Sequence, residues 1–323
     1  MSMTGLVDVT PEPWSGRDDG PGAEHVRWHH VVRPLVADDP PAADSPAPTT
    51  IVGFASDEGV RRNKGRTGAA TGPGALRRAL APMALSGPIN VFDAGDVAVT
   101  DGELEAGQER LGRVVGTLLD AGHLPLVLGG GHAVAYGSFL GLARSRAAQA
   151  GARLGVLNLD AHFDLRPDPV PSSGTPFRQI AEHERARGAQ FRYAVLGISQ
   201  PSNTRVLFDT ADALGVRYLF DDACSVADFA VVDRFVDAFL DDVDLLYLTI
   251  DLDVLPAAVA PGVSAPAAYG VPVETVQRVC DRVARSGRLA LCDVAELNPA
   301  LDIDGRTART AARLLHRIVT ARA

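Results

Sequence analysis

One alternation narrows how this chain can fold more than any other feature. Apolar runs of strand length occur at 50–54, 89–93, 124–128, 154–159, 193–197, 216–220, 245–250 and 289–294. Between them lie stretches of helical character at 72–81, 104–121, 133–149, 226–240, 273–286 and 307–322. Runs such as LPLVL and LLYLTI are apolar almost throughout rather than at every second position. Strands of that kind must be covered on both faces, which is the condition of a mostly parallel sheet between two layers of helices. The expected fold class is therefore α/β: a three-layer α/β/α domain with a mostly parallel central sheet. At 323 residues, 46% of them hydrophobic, the chain has enough apolar material for one large core. Residues 49–323 show no internal repeat and no linker, and are expected to form a single domain. Residues 1–48 break the pattern: Pro, Asp and Ala dominate, most clearly in PPAADSPAP at 40–48. An extended, poorly regular arm is expected there, docked on the body by Trp14, Trp28, His29 and His30.

In an open parallel sheet, ligands bind just beyond the carboxyl ends of the strands. Four runs end in polar groups of one kind. After 124–128 comes Gly129-Gly130-Gly131-His132; after 154–159, Asp160-Ala161-His162-Phe163-Asp164; after 245–250, Asp251-Leu252-Asp253; after 289–294, Ala295-Glu296. Singly, each has an ordinary explanation: a DxD at a strand end is often a solvated loop pair, and a lone His132 more often bonds its own loop than a metal. Four at one edge do not, because unpaired carboxylates beside a core are costly. With strand-like spacing, Asp160, His162 and Asp164 point to one side, and Asp251 and Asp253 repeat the logic. The candidate ligand set is His132, Asp160, His162, Asp164, Asp251 and Asp253, with four carboxylates, two imidazoles and no thiolate. Clustered carboxylates raise one another's pKa unless cations neutralise them, and two divalent ions match the charge. Oxygen-rich ligation with some imidazole favours Mn²⁺ or Mg²⁺ over structural zinc. Such a pair acidifies water into a nucleophile at neutral pH, so a hydrolase is expected. The glycines at 129–131 are not followed by the Lys-Ser/Thr of a phosphate loop, and no GxGxxG occurs.

The charge balance of −9, without a dense Lys/Arg block, argues against nucleic acid as a partner. No apolar run approaches the roughly 18–20 residues of a membrane span, and the N-terminus lacks the basic and apolar regions of a signal peptide. Cys224, Cys280 and Cys292 have no CxxC spacing and read as buried free thiols in a reducing compartment. A cytoplasmic protein is expected.

The blocks GGGHAVAYG (129–137), DAHFDLR (160–166), TIDLDVLPAAVAPG (249–262) and DVAELNP (293–299) resemble, in order, the core motifs of the ureohydrolase family, which includes arginase and agmatinase. The resemblance implies an arginase-like catalytic domain over 49–323 and a pair of Mn²⁺ ions per subunit. It implies that Asp160 and Asp251 bridge the two metals, that His132 and Asp164 complete one coordination sphere, and that His162 and Asp253 complete the other. Glu296 corresponds to the acid that binds the amidine-like nitrogen of the substrate; Glu296, Asp160 and Asp251 are the catalytic candidates. Members of the family usually form trimers or hexamers. The segments at 53–73 and 172–177, with WSGRDD (14–19) and RWHHVV (27–32), are similar to one branch, whose members hydrolyse N-formimino-L-glutamate to L-glutamate and formamide in histidine degradation. Where arginase carries a proton-shuttle His, alignment on the serine loop places Phe177, which cannot carry a proton. Full arginase activity is not expected.

An acidic substrate needs local cations in an acidic protein. The loop Arg61-Arg62-Asn63-Lys64-Gly65-Arg66 follows the first strand, and Arg178 follows the serine loop. Arg61, Arg62, Lys64, Arg66 and Arg178 are the candidate carboxylate clamps, one or two of the five being enough, with Asn63 beside them as a further substrate contact; Ser172, Ser173 and Thr175 are candidate hydrogen-bond donors. The alternatives are another amidinohydrolase, such as a guanidino-acid hydrolase or agmatinase, and a non-catalytic metal-binding protein on the same fold. His123 is expected to serve a helix C-terminus, and His183 and His316 to be exposed.

Overall fold

The computed structural model describes residues 7–35 and 47–322. The continuously apolar runs at 124–128, 154–159 and 193–197 become strands buried on both faces. Among the described residues the strands are β1 (Arg33–Pro34), β2 (Thr49–Ala55), β3 (Val91–Ala98), β4 (Leu124–Leu128), β5 (Leu154–Leu159), β6 (Tyr193–Ile198), β7 (Arg217–Phe220), β8 (Leu245–Asp251) and β9 (Leu289–Ala295). They form one sheet in the order β1-β3-β2-β4-β9-β8-β5-β6-β7, and every pairing is parallel. The helices are α1 (Trp28–Val31), α2 (Glu58–Arg62), α3 (Gly72–Leu80), α4 (Leu104–Asp120), α5 (Val134–Arg144), α6 (Arg146–Gln149), α7 (Pro176–Ala186), α8 (Arg205–Ala213), α9 (Phe229–Leu240), α10 (Val273–Arg285) and α11 (Arg306–Arg322). Strand side chains alternate between two cores. Leu124, Leu126, Leu157 and Leu159 join the layer of α3, α9, α10 and α11. Val127, Leu154 and Val156 join the layer of α4, α5, α7 and α8.

The order of strands positions the site. β8 and β9, the last two in the chain, are inserted between β4 and β5, so the four strands with polar endings are neighbours. Their ends are level: Leu128 and Ile250 both pair with Val294, Leu159 pairs with Ile250, and Asp251 with Ala295.

Several elements differ from the sequence reading. The helix expected over 133–149 breaks at Ser145, which is extended (φ −60°, ψ 149°). Its hydroxyl donates to Leu142 O at 2.7 Å and accepts from Ala148 N–H at 3.3 Å, closing α5 and opening α6. β3 runs on to Ala98 because the buried Asp93 and nearby Asp96, which look like a strand's end, are both paired with Arg77. The described part of the arm is more regular than expected. It contributes β1, beside Phe92 and Asp93 of β3, and the wholly buried Trp28. Most of the Pro-rich stretch 40–48 lies outside the described residues. Trp14 Nε1 donates to Asp93 Oδ2 at 2.8 Å, and Trp28 Nε1 donates to His316 Nδ1 at 3.0 Å. His316 is therefore half-buried rather than exposed. His29 bonds Ala81 O at 2.9 Å, whereas His30 only accepts from the nearby Arg27 N–H. The His123 ring bonds the Thr50 hydroxyl at 2.6 Å while its backbone N–H bonds Leu118 O in the last turn of α4 at 3.0 Å, and His183 packs edge-on against Phe139. All three cysteines are free and buried. Among the described residues no helix is long and apolar enough to cross a membrane.

Candidate metal centre

The polar strand ends converge in two groups. In the first, one atom each of His132, Asp160, Asp164 and Asp251 lie within 4.8 Å of one another; the second contains Asp160, His162 and Asp253. His132 Nδ1 stands 3.2 Å from Asp160 Oδ2, 3.0 Å from Asp164 Oδ2 and 3.0 Å from Asp251 Oδ2. His162 Nδ1 stands 3.1 Å from Asp253 Oδ2 and 3.5 Å from Asp160 Oδ1. Asp160 belongs to both groups and Asp251 to the first only.

Convergence does not arise by strand spacing. β5 ends at Leu159 and β8 at Asp251, so Asp164 and Asp253 lie beyond the strands. The loop after β5 brings Asp164 back by a left-handed residue (φ 50°), and a 3₁₀ turn over Leu252–Val254 carries Asp253, whose N–H bonds Asp251 Oδ1 at 2.9 Å. Glu296 is left-handed too (φ 69°). Such conformations cost about 1–3 kcal/mol each for residues of this kind and persist where the surroundings impose them. The glycine loop allows the close fit. A Cβ on Gly130 would lie 1.9 Å from Ser56 O, so only glycine lets the loop pass the end of β2. Supporting bonds hold the ligands in place. Asn158 donates to Asp160 Oδ2 at 2.9 Å, His162 N–H to Asp160 Oδ1 at 2.6 Å, and His132 N–H to Glu296 Oε1 at 2.8 Å. Thr249 Oγ bonds His132 Nε2 at 3.0 Å, which leaves Nδ1 to face the carboxylates.

The charges favour a cation. Burial, then repulsion from Asp253 and Asp160, pushes Asp251 well above the usual carboxylate range. Burial and the Asp160 charge push Asp164 up to about 6 against the pull of His132. Burial also raises Glu296, to about 7, although the His132 N–H opposes it. Asp160 goes the other way: burial would raise it, but bonds from His132 and His162 outweigh that. His132 Nδ1, fully buried, has no hydrogen-bond partner of acceptable geometry. An orphaned imidazole nitrogen among three acids, beside a second His/Asp group, is what a pair of divalent cations with oxygen-rich ligation would satisfy.

A cavity of about 360 Å³ opens onto both groups. His132, His162, Asp164, Asp251, Asp253 and Glu296 reach it, with Asn63, Lys64, Arg66 and Ser173 from the other candidates. The remaining candidates are engaged elsewhere. Arg61 pairs with Glu58 (2.6 Å), Arg62 with Glu58 and Glu105, and Arg178 with Glu182 (2.7 Å). Thr175 is buried, bonded to Ser172 and Gln179. Arg66 lines the cavity and donates from Nε to Ser264 O at 2.9 Å and from Nη2 to Val263 O at 2.7 Å. Two lining cations, Lys64 and Arg166, have no side-chain partner among the described residues. Arg166 was missed as a candidate because it sits inside a metal motif, two residues after Asp164. Ser202, Asn203 and Ser264 also line the cavity and carry no sequence signal of their own. Phe177 lies behind the site, fully buried, stacked on Tyr193 (4.4 Å) and edge-on to His132 (5.3 Å).

Comparison with known proteins agrees with this architecture. The model of the arginase family matches residues 47–320. A Rhodococcus jostii protein named formimidoylglutamase is 66% identical over 314 residues, covering 97% of each chain. One of the same name from Ralstonia nicotianae is 53% identical, covering 97% of this chain and 96% of its own. The crystal structure of Trypanosoma cruzi formiminoglutamase with two Mn²⁺ superimposes with a TM-score of 0.74 at 28% identity, over 85% of this chain and 93% of that one. Formimidoylglutamase from Bacillus subtilis, at 20% identity, shares the fold with a TM-score of 0.79 over 95% and 94%.

Proposed function

The chain belongs to the arginase family, and we propose from this that it is a binuclear manganese hydrolase converting N-formimino-L-glutamate and water to L-glutamate and formamide. One observation carries the reading: a single cavity joins a two-group His/Asp cluster to the unpaired cations Lys64 and Arg166. The first matches the chemistry of an amidine hydrolase, and the second matches a substrate that ends in two carboxylates. His132, Asp164, Asp251 and Asp160 would hold one Mn²⁺, and Asp160, His162 and Asp253 the other, with Asp251 as a second bridge. When bound, the Mn²⁺ pair supplies a water acidic enough to attack at neutral pH.

The chain's own groups do the rest. Glu296, with one oxygen held by the His132 N–H, accepts from the cationic formimino nitrogen and fixes the reacting carbon over the cluster. Lys64 and Arg166 hold the carboxylates, while Asn63, Arg66 and Ser173 shape the wall between. The oxygen of water joins the formimino carbon, the bond from that carbon to the glutamate nitrogen breaks, and the departing amine takes up a proton. Phe177 supplies none. Residues 49–323 act as the catalytic domain and 1–48 as an N-terminal arm. The protein works in histidine degradation as a cytoplasmic homo-oligomer of three or six chains, on a small molecule and without nucleic acid or membrane as partner. Branch resemblance supports the assembly and the pathway; the acidic charge supports the absence of nucleic acid.

A panel of amidines offered to the Mn²⁺-loaded chain tests the reading. Turnover of N-formimino-L-glutamate, with agmatine and guanidinobutyrate far slower, is expected. The reverse preference overturns it.

A further inference from the structure

Arg61 and Arg62 are adjacent, equally charged and both bonded to Glu58, yet their settings differ. The Arg61 side chain is 65% exposed and Arg62 only 16%. Arg62 uses all five of its N–H groups. Nε donates to Glu58 Oε1 at 2.8 Å. Nη1 donates to Glu105 Oε1 at 2.6 Å and to Pro171 O at 3.1 Å. Nη2 donates to Gly102 O at 2.9 Å and Glu105 Oε2 at 3.1 Å. A guanidinium has five N–H donors and no more, so none is left for substrate.

Those acceptors lie on three separate segments: α2, the entry and first turn of α4, and the loop before α7. Two of the three form the cavity wall. The α2 segment leads into Asn63, Lys64 and Arg66, and Pro171 leads into Ser173. The same two segments meet again where Ser173 N–H donates to Gly59 O (3.0 Å) and Asn63 Nδ2 to Ser173 Oγ (3.2 Å). Asn63 and Ser173 are thus held in register by a residue that never reaches the cavity.

We infer that Arg62 is a positioning residue for substrate binding, acting through Asn63 and Ser173 by clamping the α2 segment to the loop before α7. It sets where the substrate's acidic end is held, and rests on the functional reading above only for the identity of that substrate. The metal groups hang from strand ends on β5 and β8 and from the glycine loop, which Arg62 does not touch. Its loss should therefore fall on KM.

Steady-state kinetics of the full chain loaded with Mn²⁺ tests this. Arg62→Ala should raise KM for N-formimino-L-glutamate by about 10-fold, as for loss of one hydrogen bond to a charged group, with kcat within about threefold and two Mn²⁺ per chain retained. Arg62→Lys should recover little, since an ammonium cannot reproduce the fork. Arg61→Ala should change KM by less than about twofold, as expected of an exposed ion pair. The double variant Arg62→Ala/Asn63→Ala should be no worse than the more severe single one. An unchanged KM in Arg62→Ala, a kcat loss equal to the KM change, or multiplicative effects in the double variant would each overturn the inference. If Arg62→Ala does not fold, Glu105→Gln weakens the clamp from its exposed side, and an unchanged KM there overturns the inference equally. Should the unsubstituted chain turn over a different amidine, the functional reading fails on its own, and the same variants are compared on that amidine.

Discussion

A single methyl group at Gly174 tests whether Arg166 is the cation that receives the substrate. A Cβ there would lie 2.7 Å from Arg166 Cδ, 2.9 Å from Nε and 3.3 Å from Asn63 Nδ2. Ordinary contact begins near 3.4 Å, so the arginine stem must retreat, by about 0.7 Å if ordinary contact is to be restored. The backbone of Arg166 cannot follow freely, because its N–H is bonded to Gly174 O at 2.9 Å. The side chain must turn instead, which carries the guanidinium from its place; loss of a charge-assisted hydrogen bond, about 1.5–3 kcal/mol, costs about 10- to 100-fold in binding. Gly174 does not have a left-handed φ, so alanine suits the backbone and stability should change by less than about 1 kcal/mol. KM for N-formimino-L-glutamate in Gly174→Ala, in Arg166→Ala and in the double variant is the assay. Gly174→Ala should raise KM by about 10-fold or more, and should add nothing once Arg166 is gone. A KM within twofold of the parent, or a double variant worse than Arg166→Ala, would refute the assignment of Arg166.

Other consequences are equally direct. Asp160 belongs to both ligand groups, so Asp160→Asn should leave less than one Mn²⁺ per chain by elemental analysis; two retained ions would contradict the shared role. Trp28→Ala should cost about 3–5 kcal/mol in urea unfolding, because it empties a wholly buried site and strips His316 of its donor; a change under about 1 kcal/mol would mean that the arm is not part of the core. Glu58 is held near 2, first by the Arg61 hydrogen bond and also by Arg62, against an ordinary value of 4.5. A lowered folded pKa stabilises the fold fully above 4.5, and that contribution disappears as pH falls towards 2. Glu58→Gln should therefore flatten the stability profile between those limits, while a profile as steep as the parent's would point to other acids.

The layered fold was legible because apolar runs near the sheet centre tolerate no other reading: LPLVL at β4 and LLYLTI at β8 have no polar face to show solvent. Elements away from the sheet centre were less so. β3 hides behind Asp93 and Asp96, whose pairing with Arg77 is invisible until the fold brings helix and strand together. The ligand residues could be named from their places after the strands, but the reason given for their convergence was incomplete. Strand spacing cannot describe Asp164, which a left-handed residue turns inward, or Asp253, which a 3₁₀ turn carries. The cavity wall was least legible. Sequence reveals that Arg61, Arg62, Arg66 and Arg178 are cations, yet their use depends on whether Glu58, Glu105, Glu182 or a carbonyl is near, and those neighbours come from other segments or other turns.

The bond between Trp28 and His316 spans 288 positions of the chain. A ribosome adding about 5–20 residues per second needs about 15–60 s to travel that far. Throughout that interval the indole is made but its partner on α11 does not exist, and a large apolar ring stays without its lid. The packing that secures Trp28 thus waits for α11. Chains stalled before α11 would display Trp28 as a handle for chaperones or for one another, and a C-terminal truncation should be recognised in the cell through its N-terminal segment.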